Sequence, residues 1–183
     1  MKKIFTLLFL AGQIIESVAQ TCNPLDPGFG INGKATGLSI VNEWIGSKNI
    51  FVQPDNKIIQ ISSRGNDGFI VVRYTNDGHV DSAFGDNGRA SGAIASNGSA
   101  SFGALQSDGK IVVVGRISDA SKNYYSSIVL IRFNNDGSLD NSFGTGGKVV
   151  THISPYNDEG SGLAIQPDGK IVVGGMVLNW FLF

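Results

Sequence analysis

The side chains best placed to do chemistry come as a matched set that occurs twice. Arg73 to Gly88 reads RYTNDGHVDSAFGDNG, and Arg132 to Gly147 reads RFNNDGSLDNSFGTGG. At the same offsets, the first carries Arg73, Asp77, Asp81 and Phe84, and the second carries Arg132, Asp136, Asp140 and Phe143. An arginine fork facing carboxylates is the material of a strong ion pair. Aspartates around an Asn-Asp-Gly turn are also the material of a calcium loop, but here the register excludes one. With Asp136 and Gly137 at its fifth and sixth positions, the first and twelfth fall on Arg132 and Phe143, and neither can ligate. A single active site needs each group once, so groups present in every copy are assigned to the scaffold. These positions are read as structural, with no metal and no cofactor.

Residues that occur once are the better candidates for a site. Glu43 and Trp44 precede one β-like run. Asp119, Tyr124 and Tyr125 fill a long interval before another, and Tyr156, Asp158 and Glu159 lie before a third. An aromatic face stacks on a sugar ring or a peptide while nearby carboxylates fix its orientation, so the expected ligand is a glycan or a protein. The plainer reading of each is a solvated loop residue. Glu43, Asp119 and Glu159 are also the carboxylates that a polysaccharide-acting enzyme would have to bring together. The two histidines, His79 and His152, fall at different positions of the repeated pattern and make no shared metal site. No serine sits in a nucleophile elbow. The glycine-rich stretch 144–147 leads into a strand-like run rather than a helix, which removes a phosphate cradle. No catalytic residue is assigned. A non-enzymatic binding or surface-scaffold module is favoured over an enzyme, and over a non-functional fragment of a longer repeat protein.

The elements that must position these residues follow from the repeat itself. The Phe-Gly pair recurs at Phe29, Phe84 and Phe143, spaced by 55 and 59 residues. A second phrase travels with it: QPDNK from Gln53, QSDGK from Gln106 and QPDGK from Gln166. Asp-Asn and Asp-Gly tolerate the positive φ of a tight turn, so this phrase predicts a hairpin between two strands, b and c. Strand c reads KIIQIS, KIVVVG and KIVVGG, and strand d reads FIVVRY and SIVLIRF; both are apolar without alternation, as expected for burial on both faces. A short run after each Phe-Gly pair is strand a. The order a-b-c-d predicts a four-stranded antiparallel meander per copy. Sheets buried on both faces and repeated at this period are propeller blades, each covering its neighbour. The fold class is therefore all-β, with two full blades and most of a third, a partial propeller whose repeats span about 25–80, 81–139 and 140–183.

The spacing also separates two rims. The connector from strand d to the next strand a is 15 residues long in both copies, whereas Gln53 to Arg73 is 20 residues and Gln106 to Arg132 is 26. One rim is uniform, and the other, carrying the a–b and c–d loops, varies. Variable loops on a rigid scaffold suit a binding surface.

The elements QPDGKIVVGG, RFNNDGSLDNSFG and the following GK resemble the delta-60 repeat family, bacterial exported proteins grouped as β-propellers of undetermined function. The resemblance covers nearly everything after Cys22. It implies the propeller fold and supports export, and it implies no catalytic residue.

Export is also read from the N-terminus. Lys2 and Lys3 precede the apolar run IFTLLFLAG, and Ser17-Val18-Ala19 offers a cleavage site, giving a signal peptide over 1–19 and a repeat region over 20–183. The expected location is secreted or cell-surface, with no transmembrane segment after cleavage. Cys22 is the sole cysteine, so no internal disulfide forms; lipid attachment there is the lesser alternative, since Ala19-Gln20-Thr21 fits a lipidation site poorly. A net charge of −1 leaves no basic footprint for nucleic acid. Self-association that completes a ring is a further expectation, as is a truncated product.

Overall fold

The computed structural model describes residues 25–36, 45–64, 67–92, 98–118 and 125–178. Residues 1–19, read above as a signal peptide, and Cys22, Glu43, Trp44, Asp119 and Tyr124 lie outside them.

Ten strands follow in chain order: β1 (Ile45–Val52), β2 (Ile58–Arg64), β3 (Asp67–Tyr74), β4 (Arg89–Gly92), β5 (Gly98–Leu105), β6 (Ile111–Ser118), β7 (Ser126–Phe133), β8 (Lys148–Thr151), β9 (Asn157–Ile165) and β10 (Ile171–Leu178). Turn chemistry fixes the hairpins. Asn56, Gly109 and Gly169 take positive φ in the three b–c turns. In the same turns Asp55, Asp108 and Asp168 each accept the backbone N–H of the lysine two residues on. The Val/Ile runs between turns suit pleated, buried strands.

The strands form two complete antiparallel blades, β1-β2-β3-β4 and β5-β6-β7-β8, and a third pair, β9-β10. The fold is an all-β partial propeller with two full blades and the first strands of a third. One grouping differs from the sequence reading. Strand a does not open the meander of its own repeat. β4 pairs with β3, and β8 pairs with β7, so each blade is b-c-d plus the strand a that follows it. The connector is the reason. Arg73 N–H donates to the Gly88 carbonyl and Asp81 N–H to the Arg73 carbonyl, which folds strand a back onto strand d. The a–b segment then crosses to the next blade. Where β4 ends, Gly98 and Ser99 of β5 continue alongside Asp67 and Gly68 in a short parallel bridge.

Blades pack through alternate residues of each strand. Ile59, Ile61, Phe69 and Val71 of the first blade meet Ile111, Val113, Val129 and Ile131 of the second in one buried cluster. Val112, Val114 and Ile128, on the opposite face of the second blade, meet Leu163, with Ile171 and Val173 beside them. The face of the first blade that points away from the second is covered by Phe29 and Ala35, which pack on Ile58, Ile70, Val72 and Tyr74. The same face holds a buried polar relay: Tyr74 Oη donates to Gln60 Oε1 at 2.9 Å, and Gln60 Nε2 donates to Ser62 Oγ at 2.7 Å. The second blade has Phe133, Val113 and Gly115 at these positions, so it makes the corresponding contact without polar atoms.

Candidate functional site

At the uniform rim, the repeated residues build a joint. Arg73 Nε donates to Asp81 Oδ2 at 2.7 Å, and Lys57 Nζ sits 3.0 Å from the same oxygen. The Arg73 guanidinium lies 4.5 Å from the centre of the Phe84 ring, and Phe84 is fully buried. The second connector repeats the set, with Arg132 on Asp140 at 2.7 Å, Lys110 at 3.1 Å and the guanidinium 4.4 Å from the Phe143 ring. Burial would raise the Asp81 carboxyl, but hydrogen bonds from Lys57 and the Ala83 N–H and the Arg73 charge outweigh it and hold it below the ordinary carboxylate range. Asp140 is held lower still, first by the Ser142 hydroxyl, then by Lys110, the Ser142 N–H and Arg132 against the cost of burial. Asp77 and Asp136 do different work. Their carboxylates close the Asn-Asp-Gly turn on Thr75 and on Ser138.

Consecutive connectors interlock. Gly85 N–H donates to the Asp136 carbonyl at 2.7 Å, and Arg73 Nη1 donates to the Asn135 carbonyl at 2.6 Å. Gln53 Nε2 adds a bond to Asn135 Oδ1 at 3.2 Å. Gly137, at φ 88°, lies flat on the Phe84–Gly85 step; a Cβ there would sit 2.7 Å from Gly85 N. Upstream, Gly30 N–H donates to the Asp77 carbonyl at 2.6 Å, and Phe29 packs under Gly78. An open hollow of about 450 Å³ lies along this seam, lined by Asp55, Lys57, Arg73, Ala83, Asn134, Asn135 and Asp136. Its lining is the joint itself.

The sequence signals only part of this machinery. The QxDxK phrase reads as a turn, yet its glutamine and lysine reach the connectors. Their recurrence in step with the Arg-Asp-Asp-Phe set was the signal that the two phrases touch.

At the variable rim, Tyr125 and Tyr156 meet edge to face, with ring centres 5.5 Å apart and planes at 88°. They come from the c–d loop of the second blade and the a–b loop leading into the third. Ser126 N–H donates to Asn157 Oδ1 at 2.9 Å, and Ser126 Oγ donates to the Asp158 carbonyl at 3.1 Å, which ties the two loops together. Glu159 accepts from Ser101 Oγ at 3.2 Å and lies 3.6 Å from Arg116, a partner that sequence reasoning missed. Asp158 is turned inward. Its buried carboxylate accepts the Ile153 and Ser154 N–H groups and faces His152 Nδ1 at 3.3 Å, so it shapes the loop and does not reach solvent. Burial would raise it, and these hydrogen bonds hold it below the ordinary range. Tyr125, Tyr156 and Glu159 are thus on the described part of this rim, whereas Glu43, Trp44, Asp119 and Tyr124 lie outside it. Among the described residues, no three His, Cys, Asp or Glu side chains gather to hold a metal ion.

No curated protein and no solved structure matches the chain. A family model described as a domain of unknown function (DUF5122) beta-propeller matches residues 53–84, 106–143 and 166–178. Each match opens at the glutamine of a b–c turn, and the first two close at the connector phenylalanine. Over the turn, strands and connector that build each joint, the chain is therefore similar to a β-propeller repeat family whose function is unknown.

Proposed function

We propose that the protein is an exported, non-enzymatic binding module whose contact surface is the variable rim and whose ligand is a glycan. The observation that carries this reading is the Tyr125–Tyr156 pair, two aromatic side chains from different loops held edge to face. A sugar ring stacks on such a surface through its C–H face, while Glu159 and Arg116 beside it supply an acceptor and donors for hydroxyls. At the other rim, Asp81 and Asp140 are held by their own arginines and lysines, and Asp77 and Asp136 close turns on Thr75 and Ser138. Export rests on the charged, apolar and small-residue order of the first residues.

The test is a panel of bacterial and plant polysaccharides, read by affinity electrophoresis and by saturation-transfer NMR at the tyrosine rings. Tyr125→Ala and Tyr156→Ala should each weaken binding about three- to tenfold while leaving the thermal unfolding curve in place. Binding that survives both substitutions in a folded protein removes this rim as the site.

A further inference from the structure

The first strand of every blade breaks register at the same place. β1 skips Lys48, β5 skips Ser101 and β9 skips Ser161, each between consecutive partners on the neighbouring strand. All three stand five residues before the glutamine of the b–c turn that follows. A bulge leaves its extra residue out of the ladder and re-aims its side chain. The partner strand makes room for it. A Cβ on Gly115 would collide with the Ser99 carbonyl, and one on Gly175 with the Glu159 carbonyl. β5 adjoins both β1 and β9, so the bulges follow one another along the inner edges of the blades.

The side chains at this level differ from seam to seam. Across the first seam Ser63 and Ser99 meet, Oγ to Oγ at 3.1 Å. Across the second, Arg116 and Glu159 hold the same two repeat positions, 3.6 Å apart. Ser101 Oγ, at the bulge, donates to Glu159 Oε1 at 3.2 Å. Lys48 has the place of Ser101 in the first blade. A scaffold joint repeats its parts, as the connectors do, and this level does not.

The Arg116 fork is unfilled. At 3.6 Å its Nη1 attracts Glu159 without a hydrogen bond, and its side chain is 49% exposed. Lys48 is exposed and forms no ion pair among the described residues. Two cations thus face one carboxylate at this level. Asp158, next in the chain, does not alter that balance, because it is buried and engaged by Ile153, Ser154 and His152.

We infer that this inner level binds a carboxylate carried by a sugar, that of a uronic acid in an acidic polysaccharide. The carboxylate takes the Arg116 fork in the bidentate geometry that Glu159 does not reach. Lys48 adds charge from the first blade, and Ser99 and Ser101 offer hydroxyls to the sugar ring. This assignment rests on the reading of the variable rim as a glycan surface and adds the acid to it.

The probe is an oligogalacturonate, titrated by calorimetry into the full chain beside its fully methyl-esterified form. The acid should bind about tenfold more tightly than the ester, and more weakly as salt is raised. Arg116→Gln should weaken the acid about tenfold and leave the ester unchanged, and Lys48→Gln should weaken the acid about threefold. Both replace exposed side chains, so the unfolding curve should stay in place. Glu159→Gln separates a site from a structural ion pair. Glutamine keeps an acceptor for Ser101 but removes the competing charge, so the acid should bind about threefold more tightly. Weaker binding by Glu159→Gln, equal affinity for acid and ester, or an Arg116→Gln variant that keeps the preference each overturns the inference. If acid and ester bind equally and Tyr125→Ala weakens both, the glycan surface stands and only the acid is lost. A preference for the acid that persists in Tyr125→Ala and Tyr156→Ala at full affinity supports this level and removes the tyrosine pair. Failure of both oligogalacturonate and an alginate oligomer to bind overturns the two together.

Discussion

Tyr74 shows how a single side chain commits its neighbours. Its hydroxyl is buried and finds its partner in Gln60, whose amide in turn finds Ser62. Burial pushes the Tyr74 phenol up to about 12, so it remains a donor at any ordinary pH. Tyr74→Phe removes the donor and leaves the Gln60 oxygen buried and unpaired. The expected cost is about 1–3 kcal/mol, read as a drop in urea midpoint. Adding Gln60→Val to Tyr74→Phe should recover much of that loss, because the second blade already makes this contact with Val113 and Phe133. If the double variant is as unstable as the single, the relay is not what holds this face. The sequence alone shows the substitution of Tyr-Gln-Ser by Phe-Val-Gly between copies. Without the parity of the strands it does not show that the three residues touch.

At the scale of the element, the connector is the part that decides the architecture. It folds strand a onto strand d, locks itself with an arginine–aspartate pair and holds the next connector. Arg73 performs all three tasks, whereas Arg132 lacks the last. Arg73 is also the more buried of the two, at 7% against 18% exposure. Arg73→Ala should therefore destabilise by about 3–5 kcal/mol, leaving Asp81 with Lys57 as its cation and the Ala83 N–H as a donor. Arg132→Ala should cost less by about 1–2 kcal/mol, the difference being the charge-assisted bond to the Asn135 carbonyl. Equal losses in denaturant titrations would show that the bond between connectors contributes nothing. Turn signals and apolar runs made the strands legible in the sequence. The assignment of strand a to its blade was not legible, because adjacency in the chain favours pairing with strand b. Only the backbone bonds inside the connector reverse that preference.

The whole molecule depends on carboxylates that are charged when folded. Asp81, Asp140 and Asp158 are all held below the ordinary range by groups that the unfolded chain does not gather around them. A depressed value in the folded state means that stability is complete above the unfolded value and is lost as pH falls through the folded one. The melting temperature should thus change little from neutrality down to about pH 5 and fall steeply below about pH 4. Asp81→Asn should lower stability at neutral pH and also flatten the acid slope; an unchanged slope would assign the acid loss elsewhere. The repeat, its period and the uniform rim were readable because they are matters of spacing. The meeting of Tyr125 with Tyr156, the pairing of Glu159 with Arg116 and the inward turn of Asp158 were not, because each joins loops whose lengths differ between copies.

The bond from one connector to the next has a consequence for heredity. Both described joints set a Phe-Gly step against the Asn-Asp-Gly turn of the next connector, with the Gly N–H bonded to the Asp carbonyl, so this step does not record its own place in the series. Duplicating or deleting one whole repeat in the gene would leave this step of every remaining joint chemically unchanged. A change in blade number then needs no new connector chemistry, only recombination between near-identical stretches of coding sequence and adjustment of the blade faces that newly meet. The variable loops, which take no part in the joints, can diverge separately in each copy so gained.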